Sequence, residues 1–300
     1  MKISLGPVPL NWGKEKLLSF YGHVADSKVS NVYLGEVTCP KRESSIDDLM
    51  PIIDMLREKG KKVYISSYAL TFDGLERGNI EALLEASDGL EINNLAFLSI
   101  KTEKELVAGP FLNVYNWRAA RYLSRFGIKK VVIPWEVGRK SIEDIVEKSD
   151  LNIEVVAHGH LPVALSRECY TVRSLSSLEV SCQEAGISRS NCDKECFQHP
   201  EGFFLKAISG ELVFKINGPQ VFSAKVHCLI EHMDYLKRLK VESIRIESQL
   251  EEDIDEVINI YREVLDNRLN EKKAGGRLKA LCSDDLCNGF FLGKPGWEYQ

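Results

Sequence analysis

No apolar run in this chain approaches the roughly 18–20 residues that a membrane-crossing helix needs. The opening stretch M-K-I-S-L-G-P-V-P-L-N-W-G breaks its apolar run with Gly and Pro too soon for a secretory h-region. A cytoplasmic protein is expected. Four chemical signatures are also missing: the G-x-S-x-G elbow, the G-x-x-x-x-G-K-[ST] loop, the H-E-x-x-H pair and the G-x-G-x-x-G turn. Their absence removes the simplest hydrolase, NTPase, zinc-protease and dinucleotide readings. Excess positive charge is lacking as well. A net charge of -5 with a pI of about 5.8 gives no general attraction to nucleic acid or an anionic membrane, although it does not forbid a local basic patch. Low-complexity segments are absent, and so is any repeat beyond a strand–helix rhythm.

What is present suits a globular protein with a sizeable core: 300 residues, 44% hydrophobic and 28% charged. The length fits two ordinary domains or one α/β barrel, for which roughly 250 residues is typical. Eight cysteines in a reducing compartment argue against a disulfide framework and leave metal ligation, catalysis or burial as their roles.

Short apolar, β-branched runs recur at Ile3–Leu5, Val32–Leu34, Val63–Ser66, Leu90–Ile92, Leu106–Ala108, Val131–Ile133, Ile153–Ala157 and Ile244–Ile246. Amphipathic stretches lie between them at Lys14–His23, Ile46–Lys59, Leu75–Ala86, Trp117–Phe126, Ile142–Lys148, Leu229–Leu239 and Ile254–Leu265. Strands alternating with helices predict parallel pairing through right-handed crossovers, and eight such units close into an α/β fold of the (β/α)8 TIM-like barrel type. An open doubly wound sheet uses the same units and is the alternative. The rhythm fails over 164–226, which reads as a cysteine-bearing insertion after the seventh strand; it contains a strand-like pair, Leu212–Ile216 and Val221–Val226, around an N-G-P turn. The barrel with its insertion is assigned to 1–273. Residues 274–300 are assigned to an irregular tail packed on the barrel, because K-A-G-G-R and C-S-D-D-L-C-N-G carry turn-forming residues.

Barrel function sits at the C-terminal strand ends. Those ends carry Gly35, Glu36 and Cys39; Ser66, Ser67 and Tyr68; Asn93 and Asn94; Asn113; Trp135 and Glu136; His158 and His160; and Glu247. Chemistry concentrates in E-V-V-A-H-G-H-L-P-V-A-L-S-R-E-C, Glu154 to Cys169, and in the cysteines that follow, Cys182, Cys192 and Cys196. Several converging thiolates can hold zinc or an iron–sulfur cluster. One close pair, C-x3-C at Cys192 and Cys196, suits a cluster with scattered ligands better than a zinc knuckle, but spacing leaves zinc or no metal open. Cys228 reads as a core residue. His158 and His160 flank Gly159 and, if the chain stays extended, project to one side for proton transfer, substrate binding or rim hydrogen bonds. Glu36 and Glu136 are further acid–base candidates. Glu154, at a strand start, belongs to the far, stabilising end. The acidic run from Glu247 suits a helix start. Trp12, Trp117 and Trp135 read as packing, with nothing basic interleaved.

The Glu154–Cys169 stretch resembles the signature of the collagenase-like peptidase family, E-x-F-x-x-G-[SA]-[LIVM]-C-x4-G-x-C. Glu154, Gly159, Leu161 and Cys169 keep register; Val156, His160, Pro162 and Arg167 stand where the family has Phe, a small residue, Cys and Gly. Pro162 thus removes a thiol that in the family commonly serves a four-cysteine site. A ubiquinone-biosynthesis branch of the family is similar over nearly the whole chain: S-L-G-P-V from Ser4, V-Y-L-G-E-V-T-C-P-K-R ending at Arg42, H-G-H-L-P from His158, C-D-K-E-C from Cys192 and C-N-G-F-F from Cys287. This resemblance implies a [4Fe–4S] cluster on Cys39, Cys169, Cys192 and Cys196, with Cys182 in reserve. It further implies a heterodimer with a paralogous UbiU-like subunit, a UbiT-like lipid-binding accessory protein, and oxygen-independent ring hydroxylation of a ubiquinone precursor. His158, His160 and Glu36 are the substrate-side catalytic candidates. Alternatives are a collagenase-like peptidase, a non-catalytic electron-transfer or structural subunit, and a nucleic-acid hydroxylase.

Overall fold

Segments apolar on both faces can be buried only between two layers, and here they form the wall of a closed barrel. In the computed structural model, which describes residues 1–10, 12–70, 77–175, 195–200, 202–248 and 254–300, seven strands pair in parallel in chain order. They are β1 (Lys2–Leu5), β2 (Asn31–Leu34), β3 (Lys62–Ser66), β4 (Gly89–Ile92), β5 (Glu105–Ala108), β6 (Ile128–Ile133) and β7 (Asn152–Leu165). The ring closes through β11 (Ser243–Ile246), which lies parallel to β7 on one side and to β1 on the other. Closure gives the expected (β/α)8 barrel and excludes the open sheet.

Helices α1 (Lys14–Asp26), α2 (Ile46–Glu58), α3 (Arg77–Ala86), α4 (Trp117–Ser124), α5 (Arg139–Lys148), α7 (Met233–Arg238) and α8 (Ile254–Leu265) supply the outer layer. In α8 the buried residues Ile254, Val257, Ile258, Tyr261, Val264 and Leu265 fall at helical spacing and make one stripe. Side-chain caps start two of the helices: Ser45 accepts from the Asp48 N–H and Asn116 from the Ala119 N–H. The strand–helix interface is the main core. A second, small cluster of Tyr33, Tyr64, Val107, Val132, Val156 and Leu161 lies inside the barrel.

The seventh strand runs beyond Ala157, where the sequence reading ends it. Its outer half pairs antiparallel with β10 (Gln220–Cys228), which continues through β9 (Leu212–Asn217) to β8 (Phe203–Lys206). The predicted strand pair is thus present, turning at Gly218 with φ +59°, and its partner is the extension of β7. Local patterning ends that strand at the histidines because the pairing edge that prolongs it comes from residues 60 positions later. The insertion also holds α6 (Tyr170–Leu175). Cys182 and Cys192, and the predicted helix start at Leu75, lie outside the described residues.

The expected irregular tail is a correction. K-A-G-G-R lies inside α9 (Glu271–Leu281), started by Asn270, which accepts from the Lys272 and Lys273 N–H groups. Gly275 lets the helix pack closely against Glu231: a Cβ at that position would meet Glu231 Oε1 at 2.6 Å. Past α9, β12 (Leu286–Cys287) pairs parallel with β10. Among the described residues no helix is long and apolar enough to cross a membrane.

Candidate functional site

The barrel interior carries charge where its strand sequences look apolar. Arg245 of β11, 1% exposed, places Nε 2.7 Å from Glu154 Oε1 and Nη2 2.6 Å from Glu91 Oε1, with its guanidinium 3.9 Å above the Tyr33 ring. Glu154 Oε2 accepts from the Ser4 and Ser243 hydroxyls, each at 2.7 Å, and Lys130 Nζ stands 3.9 Å away. Burial alone would raise the Glu154 pKa, but Arg245, Lys130 and the two hydroxyls outweigh it and hold the carboxyl below its ordinary value. Glu154 therefore sits where its place at a strand start puts it, in a supporting network beneath the mouth.

Above this network the mouth opens into a pocket that is continuous with solvent. Phe111, Trp135, Phe222 and several prolines wall it, while Glu91, Asn93, Arg245 and Glu247 make its floor. Glu247 is no helix-start residue. It follows β11 directly, its N–H donates to the His158 carbonyl at 2.9 Å, and its carboxyl reaches into the mouth. The space for that carboxyl exists because residue 6 is glycine: a Cβ there would fall 2.0 Å from Glu247 Oε2. Desolvation first, then Glu91 and Glu154, push the Glu247 pKa up to about 7 against the opposing pull of Arg245. Asn93, 2% exposed, donates its N–H to the Ser67 hydroxyl oxygen and Nδ2 to the Ser67 carbonyl; its Oδ1 has no partner among the described residues.

Beside the mouth, three cysteine-bearing segments meet. Glu36 Oε1 accepts from the N–H groups of Thr38 (2.7 Å) and Cys39 (2.9 Å), which fixes the loop after β2, and Oε2 accepts from Arg42 Nε at 3.2 Å. Arg42, itself buried, donates Nη1 to Asn217 Oδ1 at 2.9 Å. Asn217 Nδ2 in turn holds the carbonyls of His199 and Pro200, at 3.3 and 3.1 Å, in the segment that carries Cys196. The next residue, Gly218, accepts from the Tyr170 N–H at 2.9 Å, immediately after Cys169. The Asn217–Gly218 turn thereby ties together the segments of Cys39, Cys169 and Cys196, which are remote in sequence. Burial would lower the Arg42 pKa, yet Glu36, Cys196 and Cys39 together raise it, so both thiols act on one guanidinium. Among the described residues no three His, Cys, Asp or Glu side chains form a closed metal-ligand group; Cys192 is outside them. Cysteine is the residue type that a thiolate-held cluster would need, and the segments of Cys39, Cys169 and Cys196 meet at this turn.

The two histidines part company. His158 is fully buried and packs edge-on to Tyr261 of α8, ring centroids 5.7 Å apart. His160 lines the pocket; its Nδ1–H donates to the Ser223 carbonyl at 2.9 Å, and Nε2 lies 3.2 Å from Asp284 and 3.3 Å from Lys215. The same-side expectation fails because Gly159 adopts φ +124° and the β7–β10 register shifts nearby, which breaks the period-two alternation. His160 and Lys215 hold Asp284 down to about 2, against partial burial. Glu36, a candidate acid–base group, is engaged by the Cys39 loop and Arg42. Glu136 accepts from the exposed Tyr115 hydroxyl at 2.6 Å. Trp117 is a further correction: Arg118 lies 4.4 Å and Arg121 5.7 Å from its ring centroid, so basic residues are interleaved there. Cys228 is buried beside the Tyr261 hydroxyl at 3.7 Å, as a core residue.

Arg245, Asp284 and Lys215 were missed, whereas Asn93 and Glu247 were placed at the strand ends without a role. The signal for Arg245 and Glu91 was a charge inside an otherwise apolar run, S-I-R-I and L-E-I, which is rare in burial unless paired. Nothing local marks Asp284.

The family model described as Peptidase family U32 matches residues 13–300. The chain is 24% identical over 281 residues to tRNA hydroxylation protein P1 of Bacillus subtilis, covering 85% of this chain and 63% of that one. It is 24% identical over 279 residues to a collagenase of Porphyromonas gingivalis, covering 84% and 65%. It is 24% identical over 242 residues to tRNA hydroxylation protein P2 of Bacillus subtilis, covering 75% and 74%. The chain thus spans less than two thirds of the length of the first two.

Proposed function

The chain belongs to peptidase family U32, and from that membership we propose that it is the iron–sulfur subunit of an oxygen-independent hydroxylase for the aromatic ring of a ubiquinone precursor. The observation that carries the reading is the convergence of the Cys39, Cys169 and Cys196 segments on the Asn217–Gly218 turn, beside an aromatic-walled pocket. Cys39, Cys169, Cys192 and Cys196 would hold a [4Fe–4S] cluster, which when bound supplies one-electron transfer. Arg42 offsets thiolate charge from within the protein, Glu36 positions the Cys39 loop, and the Phe111, Trp135 and Phe222 side chains seat a flat ring and exclude water from it. The two B. subtilis relatives named P1 and P2 are two similar chains in one organism; they support a paralogous, UbiU-like partner. A UbiT-like lipid-binding protein would present the apolar substrate. The peptidase reading wants a thiol activated by histidine, and the pocket's His160 is instead engaged by Ser223, Asp284 and Lys215.

Anaerobic purification with iron and sulfide analysis tests this. The wild-type chain carries iron, and alanine at position 39, 169, 192 or 196 removes it, while Cys182→Ala keeps it. Iron-free protein with all four thiols intact overturns the reading.

One patch favours a second reading, hydroxylation of a base in RNA. Between Glu105 and Glu136 the chain has no acidic residue. Arg118 and Arg121 on α4 and Arg125 just after it lie exposed there, against Trp117 and Tyr122, a combination suited to phosphates and bases. Salt-sensitive tRNA binding that the triple Arg→Gln variant loses would support it; no binding at low salt removes it.

A further inference from the structure

The floor of the mouth pocket offers hydrogen-bond acceptors, while donors of Arg245, Gln220 and Thr38 are engaged. Arg245 is committed to Glu154 and Glu91, Gln220 Nε2 donates to the Pro9 carbonyl at 3.1 Å, and the Thr38 hydroxyl donates to Glu36 at 2.8 Å. Against these stand the Asn93 Oδ1, buried and without a partner among the described residues, and the Glu247 carboxyl, which opens to the pocket. A buried acceptor left unmet costs about 1–3 kcal/mol. A ligand that fills this pocket must therefore bring donors to its floor, and the aromatic and proline walls require the rest of it to be flat and apolar.

We infer that the pocket binds a planar aromatic ring through a ring hydroxyl, whose proton is directed to the Glu247 carboxylate and the Asn93 Oδ1. A phenol is favoured over a nucleotide because, among the described residues, the Arg or Lys side chain lining the pocket is Arg245, which is spent on two carboxylates. The inference rests on the hydroxylase reading only for what becomes of the ring once it is bound.

The groups facing Glu247 are Arg245 on its own strand, Glu91 of β4, Glu154 and His160 of β7, and Glu36 of the loop after β2. Glu91 and Glu154 are paired to Arg245, and Glu36 to Arg42, which leaves Glu247 and His160 as the groups to separate by mutation. With the Glu247 pKa near 7, its ionised fraction rises about tenfold between about pH 6 and 8, and apparent affinity follows the competent fraction.

The test is calorimetric titration of the full-length, anaerobically prepared chain with 2-prenylphenol, with prenylbenzene, which lacks the hydroxyl, and with cytidine. Expected are binding of 2-prenylphenol that strengthens about tenfold over that pH interval, and affinity for prenylbenzene at least about tenfold weaker at pH 8. Glu247→Leu drops 2-prenylphenol affinity at least about tenfold at pH 8. Glu247→Gln, which mimics the protonated acid, binds at about the wild-type pH 6 level and loses the pH dependence, whereas His160→Asn keeps that dependence. Equal binding of the phenol and prenylbenzene, a pH rise that persists in Glu247→Gln, or preferential binding of cytidine overturns the inference. Iron-free wild-type protein that still shows Glu247-dependent phenol binding would leave the inference standing and sink the hydroxylase reading instead.

Discussion

Gly6→Ala is the sharpest structural probe of the mouth. The alanine Cβ would lie 2.0 Å from Glu247 Oε2, 2.6 Å from Cδ and 2.9 Å from Oε1. Residue 6 does not occupy the left-handed region, so the backbone accepts alanine and the whole effect falls on the carboxyl. Ordinary contact begins near 3.4 Å. Glu247 must therefore retreat by more than an ångström, toward a wall formed by Arg245 and its carboxylates. Overpacking of this kind costs roughly 1–3 kcal/mol, read as a fall of about 2–4 °C in Tm per kcal/mol. Chemical denaturation measures the cost, and 2-prenylphenol titration measures the displaced carboxylate as a loss of at least about tenfold in affinity. The double variant Gly6→Ala, Glu247→Ala should recover most of the stability lost in Gly6→Ala, because neighbouring changes that share one clash are non-additive. A Gly6→Ala protein within about 0.5 kcal/mol of wild type and with unchanged ligand affinity would falsify the geometry of the mouth.

Arg245→Leu leaves Glu154 and Glu91 buried without their cation and should destabilise the fold by about 3–5 kcal/mol at neutral pH, measured by urea denaturation. His227, 2% exposed, has its pKa lowered to about 4 by burial first and by His158 and His232 next. Because the folded value lies below the unfolded one, its contribution is complete above about pH 6.5 and is lost as the pH falls toward 4, by up to ~3 kcal/mol. Stability-versus-pH curves for wild type and His227→Gln should separate in that window, and superimposed slopes would refute the assignment. Asn217→Ala touches no proposed ligand yet cuts the tie between Arg42 and the His199–Pro200 segment; iron per chain should fall while the far-UV spectrum is unchanged.

Most of the barrel is legible from local pattern. Runs such as Val131–Ile133 are apolar on both faces and bounded by turns, and a strand that short and that apolar can only be covered on two sides. Helices such as Ile254–Leu265 declare themselves through one buried stripe. The errors fall where a remote partner overrides the local signal. Gly275, a turn-former by type, sits in a helix where its missing side chain allows close approach to Glu231. The two histidines diverge because pairing with β10 demands a shifted register at Gly159.

The amino-acid order by itself determined the strand–helix alternation, the place of the insertion and the identity of the thiols, since each depends on residue type and spacing along a few turns of chain. It did not determine what the barrel encloses. Arg245, Glu91 and Glu154 come from three strands and become one network only when the ring closes. Glu247 becomes a carboxyl with a proton affinity near neutrality only when Gly6, some 240 residues earlier, leaves room for it inside a desolvated mouth. Burial and charge proximity are properties of assembled surfaces. For that reason the tertiary structure alone decided which of the chain's many polar residues face the pocket.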